Sequence, residues 1–123
     1  MGRVIHFEIS ADDPDRAVRF YEKALGWKIE PYPGGGVSYW LVATGADGTP
    51  GINGAIMGRV GVGQSTVNTV EVAKLEEVME AVRKAGGTAD GRIDDIPNVG
   101  RFTYATDTEG NMLGLLEAIP PEH

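Results

Sequence analysis

The order of elements written into this chain occurs twice. Val4-Ile5-His6-Phe7-Glu8-Ile9 alternates, with Ile5, Phe7 and Ile9 on one strand face and His6, Glu8 and Ser10 on the other. Asp12-Asp13-Pro14 then offers a carboxylate cap and a proline where a helix needs no N–H. Ala17, Val18, Tyr21, Ala24 and Leu25 follow at helical spacing up to Gly26, the residue type that stops a helix. Strand patterns come next over residues 27–32, 37–44 and 52–58. The pattern then restarts. Thr69-Val70-Glu71-Val72 reads as a strand, and Leu75, Val78, Met79 and Val82 mark an amphipathic helix ended by Gly86-Gly87. Short strands are expected over 89–93, 101–106 and 111–118, with Asp107-Thr108-Glu109-Gly110-Asn111 as the hairpin turn between the last two.

This is β-α-β-β-β, then β-α-β-β-β again. Phe7-Glu8-Ile9 matches Val70-Glu71-Val72 and Gly54 matches Gly114, at separations that differ by three residues, which predicts a duplicated module. One helix on one face of four strands cannot bury both faces of its sheet. The expectation is therefore an α+β fold in a single domain over residues 1–123. Module 1 covers about 3–58, a glycine-rich connector 58–65 and module 2 about 66–119. The two modules curl into a mixed-sheet cup with the helices outside. Ile5, Phe7, Ile9, Val70 and Val72 belong under the helices. Of the neighbours Tyr39 and Trp40, one must face the cup and the other the helix layer, and alternation alone does not choose. Trp27, beside the helix stop, reads as packing.

Composition removes several function classes. The chain of 123 residues has no cysteine, which excludes disulfides, thiolate metal sites and cysteine nucleophiles. A net charge of −7 leaves no basic surface to track phosphates, so no nucleic-acid partner is expected. No apolar run is long enough to cross a bilayer, and Met1-Gly2-Arg3-Val4 enters a strand pattern without a signal-peptide core; a cytoplasmic protein with no membrane partner is expected. There are two histidines, His6 and the final residue His123, so a site built on two internal histidines is excluded. No G-x-S-x-G elbow, Walker motif, H-E-x-x-H or post-strand G-x-G-x-x-G occurs. Asp94-Asp95 reads as an exposed loop pair.

His6-Phe7-Glu8-Ile9, Asp13-Pro14 through Phe20-Tyr21 to Leu25-Gly26-Trp27, and the terminal Asp107-Thr108-Glu109-Gly110-Asn111 together resemble the vicinal oxygen chelate superfamily. That superfamily includes glyoxalase I, extradiol dioxygenases and bleomycin- and fosfomycin-resistance proteins, and the likeness is strongest to its uncharacterised glyoxalase-like branch. The resemblance covers about residues 3–118 and implies paired βαβββ modules, usually in a homodimer. It also implies a metal position served by the first and last strand of each module. Carried over, those positions are His6, Gly54, Thr69 and Gly114: one imidazole, one weak neutral oxygen and two residues without side chains. A divalent centre needs about three protein donors. No metal site and no cofactor are therefore expected.

What stands in the cup instead is read from the alternation. His6 and Glu8 share a face of the first strand, and Thr69 and Glu71 share the matching face of its repeat. Glu8 and Glu71 would then approach across the cup floor, with Gly54 and Gly114 leaving open volume beside them. Facing carboxylates share a proton, bind a cationic group or hold a metal in a nonstandard way. His6 reads equally as a ligand contact or as a satisfied inward histidine. The ligand-binding set expected is His6, Glu8, Gly54, Thr69, Glu71 and Gly114. The first functional reading is a glyoxalase/bleomycin-resistance-like small-molecule-binding protein that has largely lost the superfamily metal site. It would hold an organic ligand, with an amine or hydrogen-bond donor against the carboxylates, in a homodimer. The alternative is a metal-dependent lyase, isomerase or dioxygenase using His6 and Glu8 or Glu71.

Overall fold

The computed structural model describes residues 2–33, 39–59 and 65–119. In chain order they form β1 (Arg3–Ala11), α1 (Pro14–Leu25), β2 (Lys28–Pro31), β3 (Tyr39–Ala43), β4 (Asn53–Gly58), β5 (Thr66–Glu71), α2 (Leu75–Lys84), β6 (Asp94–Ile96), β7 (Gly100–Thr106) and β8 (Met112–Ala118). The fold class is α+β, and the repeated β-α-β-β-β order is present. Two compact units follow, one of His6–Val67 and the other of Met1–Ile5 with Asn68–His123. The glycine-rich tract at 34–36 and the connector at 60–64 lie outside the described residues.

In the unit His6–Val67 the strands run in the order β2-β3-β4-β1, with β1 parallel to β4 and the other pairs antiparallel. The helix forms where its punctuation lies. Asp13 caps α1 by accepting the Arg16 N–H at 3.1 Å, Pro14 opens the first turn, and Gly26 ends it at φ 70°, a conformation that favours glycine. Ala11, Val42 and Ile56 form a buried cluster against which Phe7, Ile9, Ala17, Val18, Tyr21, Trp27, Ile29 and Trp40 pack. Burying a side chain the size of Ile56 contributes about 2 kcal/mol. Trp27 stacks on Tyr21 with centroids 4.8 Å apart and lies 5.8 Å from Phe7, which is the packing role expected of it. The last helical turn is not part of that layer: Leu25 is 57% exposed.

The second unit repeats the plan with the order β5-β8-β7-β6, β5 parallel to β8 and the rest antiparallel. Val72, Leu75, Met79, Ala89, Ala105 and Leu115 are its buried cluster, with Val70 packed against them. Lys74, at the N-cap of α2, provides no side-chain cap. Glu117 on β8 takes over, accepting the Leu75 N–H at 2.8 Å, and Arg101 bridges Glu117 and Glu76. Two expectations fail here. Residues 89–93 form no strand, and the pairing near them is an isolated Thr88–Thr106 bridge. Asp94 and Asp95 are exposed but lie in β6, opposite Phe102 and Arg101, since an edge strand tolerates outward carboxylates.

Register corrects the glycine argument. Phe7 pairs with Gly54, whereas its repeat partner Val70 pairs with Leu115, so Gly54 corresponds to Leu115 and the counterpart of Gly114 is Asn53. A one-residue slip exchanges faces. Gly54 thus shares the face of Phe7, and a Cβ on it would stand 2.4 Å from the Phe7 carbonyl oxygen and 2.5 Å from its ring. It leaves no open volume; it lets β4 pass under an aromatic ring. Gly54→Ala is expected to lower unfolding stability by about 1–3 kcal/mol, measured by urea denaturation, because the contact is to backbone and cannot rotate away. A neutral effect would contradict this placement.

Candidate functional site

The face of the His6–Val67 sheet opposite α1 collects the polar side chains. His6, Glu8 and Ser10 project there from β1 by the same alternation that sends Phe7 and Ile9 to the helix. From β3, Trp40 joins the helix-side cluster, so Tyr39 falls on the opposite face. That settles which of the two aromatics serves which layer. Tyr39 Oη donates to Glu8 Oε2 at 3.2 Å and lies 3.3 Å from His6 Nε2. Tyr32 meets Tyr39 edge-on at 5.8 Å. Asn53 stands opposite His6, and its Oδ1 accepts the Thr44 N–H at 3.0 Å. Leu41, 41% exposed, shares this face through its pairing with Ala55, the register partner of Glu8.

The electrostatics follow from depth. Glu8 is 7% exposed, and a buried carboxylate needs hydrogen-bond donors to offset lost hydration; the Tyr39 hydroxyl is one of them. Burial of the His6 imidazole lowers its pKa below the ordinary value of 6.5, and the Glu8 carboxylate pulls the other way without overcoming it. His6 is therefore neutral at physiological pH, able to donate from one ring nitrogen and accept at the other. An arrangement of neutral imidazole, phenol and carboxylate can orient a polar ligand group or relay a proton.

The remaining expected residues belong to the other unit. Thr69 pairs with Gly114 across β5 and β8, and Glu71 pairs with Leu116. Thr69 is 2% exposed, and its Oγ1 has no hydrogen-bond partner among the described residues. The space over Gly114 is taken: a Cβ there would lie 2.7 Å from the Phe102 ring and 3.0 Å from Thr69 Oγ1. Glu71 is exposed. The structure thus brings His6 together with Glu8, and Thr69 with Gly114. Sequence reasoning weighed Tyr39 without placing it and passed over Asn53; the strand register, which fixes both, has no signature in residue type alone.

Comparison with known proteins identifies the chain. Residues 3–115 match the family model described as the Glyoxalase/Bleomycin resistance protein/Dioxygenase superfamily. A glyoxylase-like domain-containing protein from Didymella fabae is 30% identical over 114 residues, 89% of each chain. A hypothetical protein from Bacillus halodurans C-125 shares the fold with a TM-score of 0.70 at 13% identity, covering 99% of this chain and 98% of that one. Methylmalonyl-CoA epimerase from Mycobacterium tuberculosis does so with a TM-score of 0.63 at 18% identity, covering 95% and 88%. The chain belongs to the Glyoxalase/Bleomycin resistance protein/Dioxygenase superfamily.

The metal that this superfamily's fold implies can be tested against the donors present. Among the described residues no three His, Asp or Glu side chains group closely enough to hold an ion. Gly54 is turned to the helix side, Gly114 is covered by Phe102, and the orphaned Thr69 hydroxyl is a neutral oxygen. His6 Nε2 already faces the Tyr39 hydroxyl. These donors do not fit a divalent centre of the usual kind.

The lowered His6 pKa has a sign in stability. As pH falls, the unfolded chain takes up a proton at the ordinary histidine value of 6.5, before the folded chain does, so stability falls with it and levels off once the folded imidazole is protonated too. Urea midpoints measured from about pH 7.5 down to about pH 5.5 should therefore drop more in the wild type than in His6→Asn. An equal drop in both would contradict the buried neutral imidazole.

Proposed function

We propose that this member of the superfamily binds a small organic ligand on the His6–Tyr39–Glu8 face and does so without the family's metal. The hydrogen-bonded series from His6 through Tyr39 to Glu8 carries this reading. It is a polar assembly held on a sheet face, with the apolar surfaces of Leu41 and Tyr32, 41% and 38% exposed, on the same strand system. Small-molecule sites combine a few fixed polar groups with aromatic or aliphatic surface. The ligand would accordingly have an apolar body and a hydrogen-bonding group. Glu71, exposed in its own unit, has no part in the reading, which rests on Glu8 alone among the carboxylates.

The superfamily hosts several chemistries on one scaffold, and the fold neighbours at 13–18% identity share the fold alone. Two measurements on untagged protein test the reading together. Elemental analysis after dialysis should find well under one equivalent of zinc, iron, manganese or nickel. Titration calorimetry with a panel of small aromatic alcohols, amides and amines should then find binding that a chelator does not abolish and that Tyr39→Phe weakens roughly tenfold. Stoichiometric metal that resists dialysis and disappears in His6→Ala would overturn the proposal in favour of a metal-dependent lyase, isomerase or dioxygenase.

A further inference from the structure

The His6–Tyr39–Glu8 series has a direction. Tyr39 carries one hydroxyl proton, and it is aimed at Glu8 Oε2, 3.2 Å away, on a side chain whose carboxylate form can only accept. The same hydroxyl oxygen lies 3.3 Å from His6 Nε2, and with its proton spent on Glu8 it can only accept from that nitrogen. A neutral imidazole holds a single N–H. The geometry therefore puts the His6 proton on Nε2 and leaves a lone pair on Nδ1, which has no hydrogen-bond partner among the described residues. Glu8 is 7% exposed, too deep to be the group a ligand meets first, while His6 is half-buried. Opposite His6, Asn53 commits its Oδ1 to the Thr44 N–H and keeps its amide protons as donors.

We propose that Glu8 is a positioning residue: acting through Tyr39 it holds His6 in the Nε2–H tautomer, so that Nδ1 accepts a hydrogen bond from the ligand. This rests on the binding reading above and gives it a ligand class. A group that donates to Nδ1 and accepts from the Asn53 amide satisfies both, as a primary carboxamide or a hydroxyl does. A carboxylate brings no donor and sets its charge near that of Glu8.

The test is the nitrogen spectrum of the His6 ring in the full chain, recorded above the histidine titration range and assigned by comparison with His6→Gln. Nε2 should resonate as a protonated nitrogen and Nδ1 as a bare one. Glu8→Gln keeps the side chain's shape but can donate to the Tyr39 oxygen, turning the hydroxyl proton toward His6; the ring should shift to a tautomer mixture. Tyr39→Phe should give a mixture as well. Benzamide should move the Nδ1 signal of the wild type, and benzoate should not. A wild-type ring found as Nδ1–H, or a tautomer unchanged in both variants, would overturn the positioning role. A shift with benzoate as large as with benzamide, or with neither, would overturn the ligand class. Since the tautomer is read with no ligand present, failure to bind small molecules would sink the binding proposal and leave the role of Glu8 standing.

Discussion

A carboxylate on a sheet strand is expensive to bury, and Glu8 is almost wholly buried. The cost of several kcal/mol for an ion taken out of water is offset only if donors are fixed in place around it. The Tyr39 hydroxyl is such a donor, and its position is set by β3. For that phenol to reach Glu8, β3 must lie beside β4 in the register that pairs Tyr39 with Met57, and β4 must run parallel to β1 with Met57 beside Ser10. The same register sends Trp40 into the layer under α1 and obliges residue 54 to be glycine, because it passes beneath Phe7. One polar contact on one face and one aromatic packing arrangement on the other are thus two consequences of a single strand alignment.

The depth of that contact also shapes the chemistry. An exposed imidazole beside a carboxylate would be a cation over much of the acidic range, whereas burial keeps His6 neutral despite Glu8. A neutral ring with a phenol on one nitrogen is suited to reading a hydrogen-bonding group. In the other unit the corresponding face is closed differently: Phe102 lies over Gly114, and the buried Thr69 hydroxyl has no hydrogen-bond partner among the described residues. The duplicated modules therefore share a backbone plan and differ in what they put on it.

Much of this was legible in the sequence. The Asp13–Pro14 start and Gly26 stop of α1 are local chemistry, and they define the helix to the residue. Period-two alternation separated Phe7 and Ile9 from His6 and Glu8 for the same reason. What failed depends on partners far along the chain. Gly54 was matched to Gly114 by residue identity, and the true alignment is one position away, which reverses the face. Tyr39 and Trp40 are both strand formers, and only pairing with β4 decides between them. Asp94 and Asp95 read as loop because carboxylates are poor strand formers, yet an edge strand leaves them in water. The cap on α2 comes from Glu117, 42 positions away from Leu75, and no local pattern announces it.

Tyr39 and Glu8 act as one unit across β1 and β3. A double-mutant cycle on folding stability with Tyr39→Phe, Glu8→Leu and the pair measures that directly, since leucine can neither accept from nor donate to the phenol. A coupling of about 1 kcal/mol or more is expected, with the double variant less damaged than the sum of the singles. Effects that simply add, within about 0.3 kcal/mol, would contradict it.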